Sequence, residues 1–279
     1  MIVDTFVLDP TNGSGKILDQ SRICPKILIA IATYNEIGNL PELVDAIGRT
    51  FPGAHLLVID DNSPDGTGRW CLERKESDPL FNCMIRPGKL GLGTAVQAAM
   101  QYAIGNEYDF LINMDADFSH DPAVLPQLLA AMQDGQNGVQ YDVAIGSRYV
   151  PGGKIEGWPF HRRLMSRCIN RFAKICLGLR TRDNSGAFRC YRVATLDYAL
   201  SRIIAEGKIR SKGYSFFEEI LFLLSRHAAK MIEIPITFVD RKHGSSKINT
   251  WEAVKAVGIM IQLSLTRLWP FKNGKSKQY

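Results

Sequence analysis

Short apolar runs alternate with helical segments along the first half of the chain, and each run ends in turn-forming or charged residues. Apolar strands separated by helices of about ten residues are typical of βαβ units, in which helices cover both faces of a parallel sheet. The predicted strands are KILIAIA (26–32), HLLVIDD (55–61), NCMIR (82–86), DFLINMD (109–115) and DVAIGSR (142–148). The alternation therefore predicts an α/β fold built on a mostly parallel sheet.

The residues that follow these strands carry most of the candidate chemistry. Ligands of open α/β sheets bind beyond the carboxyl ends of the strands, so these side chains are expected to share one edge. They are Tyr34, Asn35, Glu36, Asp60, Asp61, Asp115, Asp117 and Arg148. The sequence thus places five carboxylates and one arginine at the predicted ligand edge.

The segment MDADFSHDP brings Asp115 and Asp117 to the end of one strand. Two neighbouring carboxylates repel each other unless a cation lies between them. Mg²⁺ bound to a diphosphate is one solution, because this ion takes a few carboxylates together with phosphate oxygens and water. Taken alone, the pair is better explained by a strand end followed by a turn cap.

Two further segments suit a nucleotide. In VIDDNSPDGT (58–67), carboxylates at a strand end can accept hydrogen bonds from a ribose or a base, although turn chemistry explains the residues after them. In ATYNE (32–36), an aromatic ring and a carboxylate suit a base and a ribose, and a helix cap with a surface Glu explains them equally well. The glycine-rich residues 88–93 are not a P-loop, because no Lys-Ser/Thr pair follows them. We expect a flexible loop there.

After Arg148 the sequence predicts a Gly/Pro-rich link, YVPGGKIEGWP (149–159), and two further strands, NSGAFRCYR (184–192) and MIEIPITFV (231–239).

Basic residues dominate later in the chain. Lys and Arg number 34 against 28 Asp and Glu, a net charge of +6 that favours anionic partners. Arg148, Arg162, Arg163 and the segment RKHGSSK (241–247) supply cations that suit a metal–diphosphate and a second phosphate. Nucleic acid is not an expected partner, because the carboxylate edge would repel its backbone.

Three regions are predicted along the chain. Residues 1–24 lack periodicity and form a loose leader without the apolar core of a signal peptide, and residues 25–249 form one domain. Residues 250–279 form an amphipathic helix and a basic tail, and the helix suits either an anionic bilayer surface or the protein core. Since no stretch has the length and apolarity of a membrane span, the protein is expected to be soluble or to lie on a membrane surface. The location that we expect is cytoplasmic, peripheral on the cytoplasmic face of a membrane.

Nine motifs, taken in order, resemble those of the polyprenol-phosphate (dolichol-phosphate) mannosyltransferases of glycosyltransferase family 2. They are ATYNE, VIDDNSPDGT, KLGLGTA, MDADFSHDP, AIGSRYVPGG, WPFHRRLMS, NSGAFRCYR, GYSFFEEI and FVDRKHGSSKI. The likeness is to the short type that lacks transmembrane helices. It implies a Rossmann-like GT-A fold, Mg²⁺ or Mn²⁺ as cofactor, and transfer of mannose with inversion from GDP-mannose to a polyprenyl or dolichyl monophosphate.

The resemblance also implies a role for individual residues. Those implied for the donor are Ala32, Tyr34, Glu36, Ile59, Asp61, Asp115, Ala116, Asp117, Arg148, Arg241 and Lys247. Those implied for the metal are Asp115, Asp117 and Ser119, and those for the acceptor phosphate are Arg148, Arg162 and Ser166. The implied catalytic residues are Asp117, Arg148, Arg241 and Lys247. Ala32 replaces a Pro common in the family, and some relatives have Gln in place of Ser119.

Two other functions fit the same sequence. One is transfer from a UDP-sugar such as UDP-glucose to a polyprenyl phosphate, and the other is a non-catalytic subunit that binds a nucleotide sugar. A membrane surface is an expected partner, and the sequence does not decide whether a membrane subunit also takes part. The acceptor phosphate is already anionic at neutral pH, so direct displacement needs no general base, and the sequence offers no convincing one.

Overall fold

The structure is a computed structural model that describes residues 24–133, 138–205, 209–241 and 250–267. The strands within these ranges are β1 (Ile27–Thr33), β2 (His55–Asp60), β3 (Phe81–Ile85), β4 (Phe110–Asp115), β5 (Val143–Ser147), β6 (Lys154–Glu156), β7 (Arg189–Arg192), β8 (Met231–Pro235) and β9 (Thr237–Val239). The α-helices are α1 (Leu40–Thr50), α2 (Thr67–Ser77), α3 (Leu92–Gly105), α4 (Leu125–Gln133), α5 (Phe160–Leu177), α6 (Val193–Ala205), α7 (Phe216–Arg226) and α8 (Thr250–Arg267). The five strands predicted in the first half of the chain are all present, each within one residue at either end.

Seven strands form the central sheet in the order β3-β2-β1-β4-β7-β5-β8 within the described ranges. All neighbouring pairs are parallel except those of β7, which runs antiparallel to both β4 and β5. The expected mostly parallel sheet is therefore confirmed, with one reversed strand at its centre. A short parallel pair, β6 with β9, forms a second sheet.

Alternate residues of the central strands point to opposite faces of the sheet, and each face is covered by helices. Leu28 and Ala30 of β1 join an apolar cluster with residues of α3, α6 and α7. Ile29 and Ile31 join a second cluster with residues of α1 and α4. Because helices cover both faces, the strands are apolar at successive positions instead of alternating between apolar and polar residues. The sheet is thus the middle layer of three.

Three segments differ from their predicted structure. MIEIPITFV (231–239) was expected to be one strand, but it forms β8 and β9 in two different sheets. Pro235, which has no backbone N–H to extend the ladder, stands at the break. In NSGAFRCYR (184–192) only the last four residues are a strand, and the Gly/Pro-rich link YVPGGKIEGWP contains β6.

The C-terminal helix α8 packs against the domain through one face. Ala256, Met260 and Leu263, spaced so that they share that face, are buried in the larger apolar cluster. Ile261 and Leu265 remain exposed on the outside. Of the two expectations for this helix, core packing therefore accounts for the buried face. None of the helices in the described ranges is long and apolar enough to cross a membrane.

Candidate active site

A cleft of about 700 Å³ opens beyond the carboxyl ends of β1, β2 and β4. The strand register puts Ala32 of β1 beside Ile59 on one side and Asp115 on the other. The residues that follow these positions therefore emerge together at one edge of the sheet, as expected for a parallel α/β sheet.

Ten of the residues predicted for the site line this cleft. They are Ala32, Tyr34, Glu36, Asp61, Asp115, Ala116, Asp117, Arg148, Arg162 and Arg241. Ile59, Ser119 and Ser166 do not line it, and the Ser166 hydroxyl accepts a hydrogen bond from Tyr149 at 2.6 Å. Lys247 lies outside the described residues.

A tight turn after β4 sets the geometry of the two carboxylates predicted for the metal. Phe118 has a φ of 60°, which folds the chain back at once. Oδ1 of Asp117 then accepts hydrogen bonds from the backbone N–H of Ser119 at 3.1 Å and from its hydroxyl at 2.5 Å. Oδ2 lies 3.5 Å from the Arg241 guanidinium. Ser119 thus orients one carboxylate oxygen of Asp117, and Arg241 lies beside the other.

Asp115 lies beside Asp117 with its side chain 34% exposed to the cleft. Burial, and after it the charge of Asp117, raises the pKa of Asp115 to about 7, while Arg241 and Arg148 act in the opposite direction. The raised pKa marks a site where a second negative charge is unfavourable without another cation.

His120 fixes the backbone of this turn. Its Nδ1 accepts a hydrogen bond from the backbone N–H of Asp115 at 3.2 Å, and its ring stacks on Phe188 with centroids 4.9 Å apart. Burial lowers the pKa of His120 to about 4, so the imidazole is neutral at physiological pH and can accept this bond. His120 also lines the cleft, and no role was predicted for it from the sequence.

The carboxylates suit a divalent cation that is shared with a substrate. Among the described residues, no group of three or more His, Cys, Asp or Glu side chains could hold a metal ion alone. Mg²⁺ usually binds through one or two carboxylates and completes its shell with phosphate oxygens and water. Asp115 and Asp117 therefore fit a metal that arrives with a diphosphate, and Ser119 is already engaged with Asp117.

Asp61 shapes the glycine-rich loop at the other end of the cleft. Its Oδ2 accepts the backbone N–H groups of Leu90 and Gly91, each at 3.2 Å, and its carboxylate pairs with the buried guanidinium of Arg86. The Lys89 ammonium lies over the Tyr34 ring, 4.2 Å from its centroid. Asp61 therefore connects the glycine-rich loop to the end of β2.

The sequence profile of the family described as "Glycosyl transferase family 2" matches residues 28–198. This span carries both carboxylates of the turn and the whole βαβ series. The chain belongs to glycosyltransferase family 2. An undecaprenyl-phosphate mannosyltransferase of Micrococcus luteus is 38% identical over 244 residues, which are 88% of this chain and 96% of the relative. A polyprenol monophosphomannose synthase of Mycolicibacterium smegmatis is 37% identical over 238 residues, 85% of this chain and 86% of the relative.

Solved structures agree with the family on the fold. A glucosyl-3-phosphoglycerate synthase from Mycobacterium tuberculosis, in complex with Mn²⁺, UDP and glucosyl-3-phosphoglycerate, superposes with a TM-score of 0.56 at 15% identity. The superposition covers 87% of this chain and 79% of the synthase chain. The same synthase in complex with Mg²⁺ and UDP gives the same TM-score and identity, over 87% and 79% of the two chains. The expected GT-A fold is confirmed.

Several cations that line the cleft were not predicted from the sequence. Lys89, Arg210, Lys212 and Lys255 line the cleft beside Arg148, Arg162 and Arg241. Two of the missed residues lie in RSKGYS, immediately before a buried helix, and this basic, glycine-containing stretch was the available signal. Among the described residues, the lining includes seven Lys and Arg side chains against four carboxylates, a balance that suits ligands with several negative charges.

Proposed function

We propose that this chain transfers mannose from GDP-mannose to a polyprenyl monophosphate, with inversion at the sugar. The observation that carries the proposal is the placement of Asp115 and Asp117 in a cleft rich in cations, where Arg241 pairs with Asp117. Such a cleft suits two anionic substrates, a nucleotide diphosphate and a phosphate ester. The names of the two curated relatives supply the sugar and the lipid.

Asp115 and Asp117 would hold Mg²⁺ or Mn²⁺ together with the donor diphosphate. The metal, when bound, neutralises charge that develops on the diphosphate as it leaves. Arg241 adds a fixed positive charge at the same place, because it already faces Oδ2 of Asp117. Lys247, predicted for the same role, lies outside the described residues.

An oxygen of the acceptor phosphate attacks C1 of mannose while the bond from C1 to the GDP oxygen breaks. GDP leaves with the electron pair of that bond, and the configuration at C1 inverts. No proton has to be removed from the acceptor, since a phosphate monoester is anionic at neutral pH. The protein's task is to position the two substrates and to stabilise the leaving group. Arg162, on the cleft-facing side of α5, would orient the acceptor phosphate.

The other side of α5 suits the membrane in which such an acceptor resides. Phe160 is 77% exposed and Ile175 is 68% exposed, and Leu164 is exposed on the same side. Arg163 and Arg167 are exposed beside these apolar side chains. An apolar stripe flanked by cations is typical of helices that lie on anionic lipid surfaces. We propose that α5 lies on the cytoplasmic face of a membrane and presents the lipid phosphate to the cleft.

The reaction is tested directly with labelled donors. The purified chain is incubated with Mg²⁺, a polyprenyl phosphate, and either labelled GDP-mannose or labelled UDP-glucose, and label is measured in the lipid phase. We expect label from GDP-mannose, and its loss in Asp117→Asn but not in Asp197→Asn, an exposed Asp of α6. Label from UDP-glucose alone would mean that the donor is a UDP-sugar and not GDP-mannose. Label from neither donor would contradict the proposal.

A further inference from the structure

One wall of the cleft is formed by residues 210–215, here called the 210–215 segment. All six residues line the cleft, and none belongs to a strand or a helix. The segment carries Arg210 and Lys212, two of the cations that were not predicted from the sequence. Backbone groups outside regular structure need other hydrogen-bond partners to hold a fixed position. What holds this wall therefore decides where its two cations lie.

Glu219, on the first turn of α7, holds one side of the segment. Its Oε1 accepts the backbone N–H of Arg210 at 2.9 Å, and its Oε2 accepts the backbone N–H of Ser211 at 2.8 Å. The side chain is fully buried, at 0% exposure. Hydrogen bonds to a carboxylate are about twice as strong as neutral ones. Here the two oxygens accept the N–H groups of two successive residues of the segment.

The glycine-rich loop holds the other side. The backbone N–H of Gly93 donates to the carbonyl oxygen of Lys212 at 2.9 Å. A Cβ on Gly91 would lie 2.5 Å from the same oxygen, so only glycine permits this approach. Gly91 is in turn bound through its N–H to Asp61 at the end of β2. The 210–215 segment is thus tied on one side to α7 and on the other to the edge of the sheet where the donor would bind.

We propose that Glu219 is a positioning residue, which fixes the 210–215 segment so that Arg210 and Lys212 meet the phosphates of a nucleoside diphosphate in the cleft. The inference rests on the proposed function, because it takes the ligand of this wall to be the nucleotide part of a nucleotide sugar. The donor, rather than the acceptor, is assigned to these cations because the segment is bonded to the loop that Asp61 holds.

The matched variants are Glu219→Gln and Glu218→Gln. The first keeps the shape of the side chain but replaces one accepting oxygen with an NH₂ group, so one of the two backbone N–H groups loses its acceptor. The second changes the next residue, which is also buried and whose Oε2 has no hydrogen-bond partner in the described part of the chain. Both variants replace a buried glutamate of the same helical turn with its amide, and Glu219 is the one that accepts the backbone N–H groups of Arg210 and Ser211.

Two measurements on the folded protein test the role without catalysis. The first is hydrogen exchange of the amides of residues 210–215, and the second is the affinity for GDP and UDP with Mg²⁺. In Glu219→Gln we expect the Arg210 or Ser211 amide to exchange at least about tenfold faster, because a bond to a charged group is lost. We expect the nucleotide Kd to rise about tenfold, with Glu218→Gln close to wild type in both measurements.

Unchanged exchange at both amides, or unchanged nucleotide affinity, in Glu219→Gln would overturn the inference. Equal changes in the two variants would also overturn it, since they would indicate general loosening of α7. Wild-type protein that binds neither GDP nor UDP would overturn the assignment of a nucleotide to this wall. Absence of mannose transfer by wild type would instead contradict the proposed function, while exchange and nucleotide affinity would still decide the role of Glu219.

Discussion

Asp183 holds the guanidinium of Arg148, which lines the cleft, through two side-chain hydrogen bonds. Nε of Arg148 donates at 2.7 Å and one Nη donates at 2.6 Å, and the backbone N–H of Arg148 donates to the same carboxylate at 2.9 Å. Burial would disfavour both charges, but each holds the other ionised: the pKa of Arg148 is raised and that of Asp183 is lowered. Arg148 is therefore fixed in place before any ligand arrives.

Asp183→Asn is expected to destabilise the fold strongly. It leaves the Arg148 charge buried without a counter-charge, and breaking a buried pair in this way costs about 3–5 kcal/mol. Urea denaturation followed by circular dichroism measures the loss. The control is Asp197→Asn on α6, an exposed position where the change should stay within about 0.5 kcal/mol. A similar small loss in both variants would mean that the pair does not support the fold.

Arg162→Ala is expected to raise KM for the polyprenyl phosphate about tenfold or more, since a charge-assisted bond to the acceptor phosphate would be lost. Arg162 lines the cleft, where its guanidinium lies 4.0 Å from the Trp158 ring centroid and 3.2 Å from Asp240. Arg163→Ala removes the same charge from the next position of α5, which does not line this cleft. Steady-state kinetics with a short-chain acceptor in detergent compares them, and equal KM values would exclude Arg162 from acceptor binding.

The sequence predicted the parallel half of the sheet well, because buried strands are continuous apolar runs whose ends are marked by turns. It could not predict the direction or the place of β7. RCYR (189–192) has the same pattern whichever way it runs, and its position between β4 and β5 depends on pairing with residues far away in the chain. MIEIPITFV was misjudged for a related reason, since pattern alone does not reveal that two halves of a run join different sheets.

Residues that line the cleft were predicted where their side chains follow strands and were missed where they belong to loops. Asp115 and Asp117 were found because the register of β4 fixes their place. Arg210 and Lys212 were missed because their position depends on hydrogen bonds from α7 and from the glycine-rich loop, which no local pattern encodes. The bonds that Asp61 makes to that loop are invisible in the sequence for the same reason.

Glu218 is expected to make the fold less stable as the pH rises from about 5 to about 7.5. Burial raises its pKa from 4.5 to about 7, so in this range the folded protein holds a proton that the unfolded chain has lost. The pKa of this carboxyl is 4.5 in the unfolded chain and about 7 in the folded protein. The stability that Glu218 contributes is therefore complete below the first value and is lost as the pH rises through the second, by at most about 3 kcal/mol. Urea denaturation across this range should show a flatter profile for Glu218→Gln than for wild type. Glu76→Gln, an exposed change on α2, should keep the wild-type slope, and a wild-type slope in Glu218→Gln would contradict the assignment.

Gly93→Ala is expected to lower kcat/KM at least about tenfold. Its Cβ would lie 2.7 Å from Cβ of Phe216 and 2.9 Å from the Gly213 carbonyl oxygen, so the 210–215 segment must move. Gly105→Ala, in the same helix α3, meets nothing within 4 Å and should leave kinetics unchanged. Thermal denaturation run beside the kinetics separates the effects, because overpacking alone costs about 1–3 kcal/mol without preventing folding. Equal kcat/KM in the two variants would show that the wall tolerates the displacement.

The apolar stripe of α5 is expected to contribute more to membrane binding than the outer face of α8. Phe160→Ser with Ile175→Ser removes the two most exposed large apolar side chains among those described, at 77% and 68%. The matched change on α8 is Ile261→Ser with Leu265→Ser, at 47% and 62% exposure. Co-sedimentation with vesicles that contain an anionic lipid measures binding, and membrane affinity scales with the apolar area buried in the interface. We expect the α5 variant to lose at least about tenfold in affinity and the α8 variant distinctly less. A greater loss on α8 would assign the membrane contact to the C-terminal helix instead.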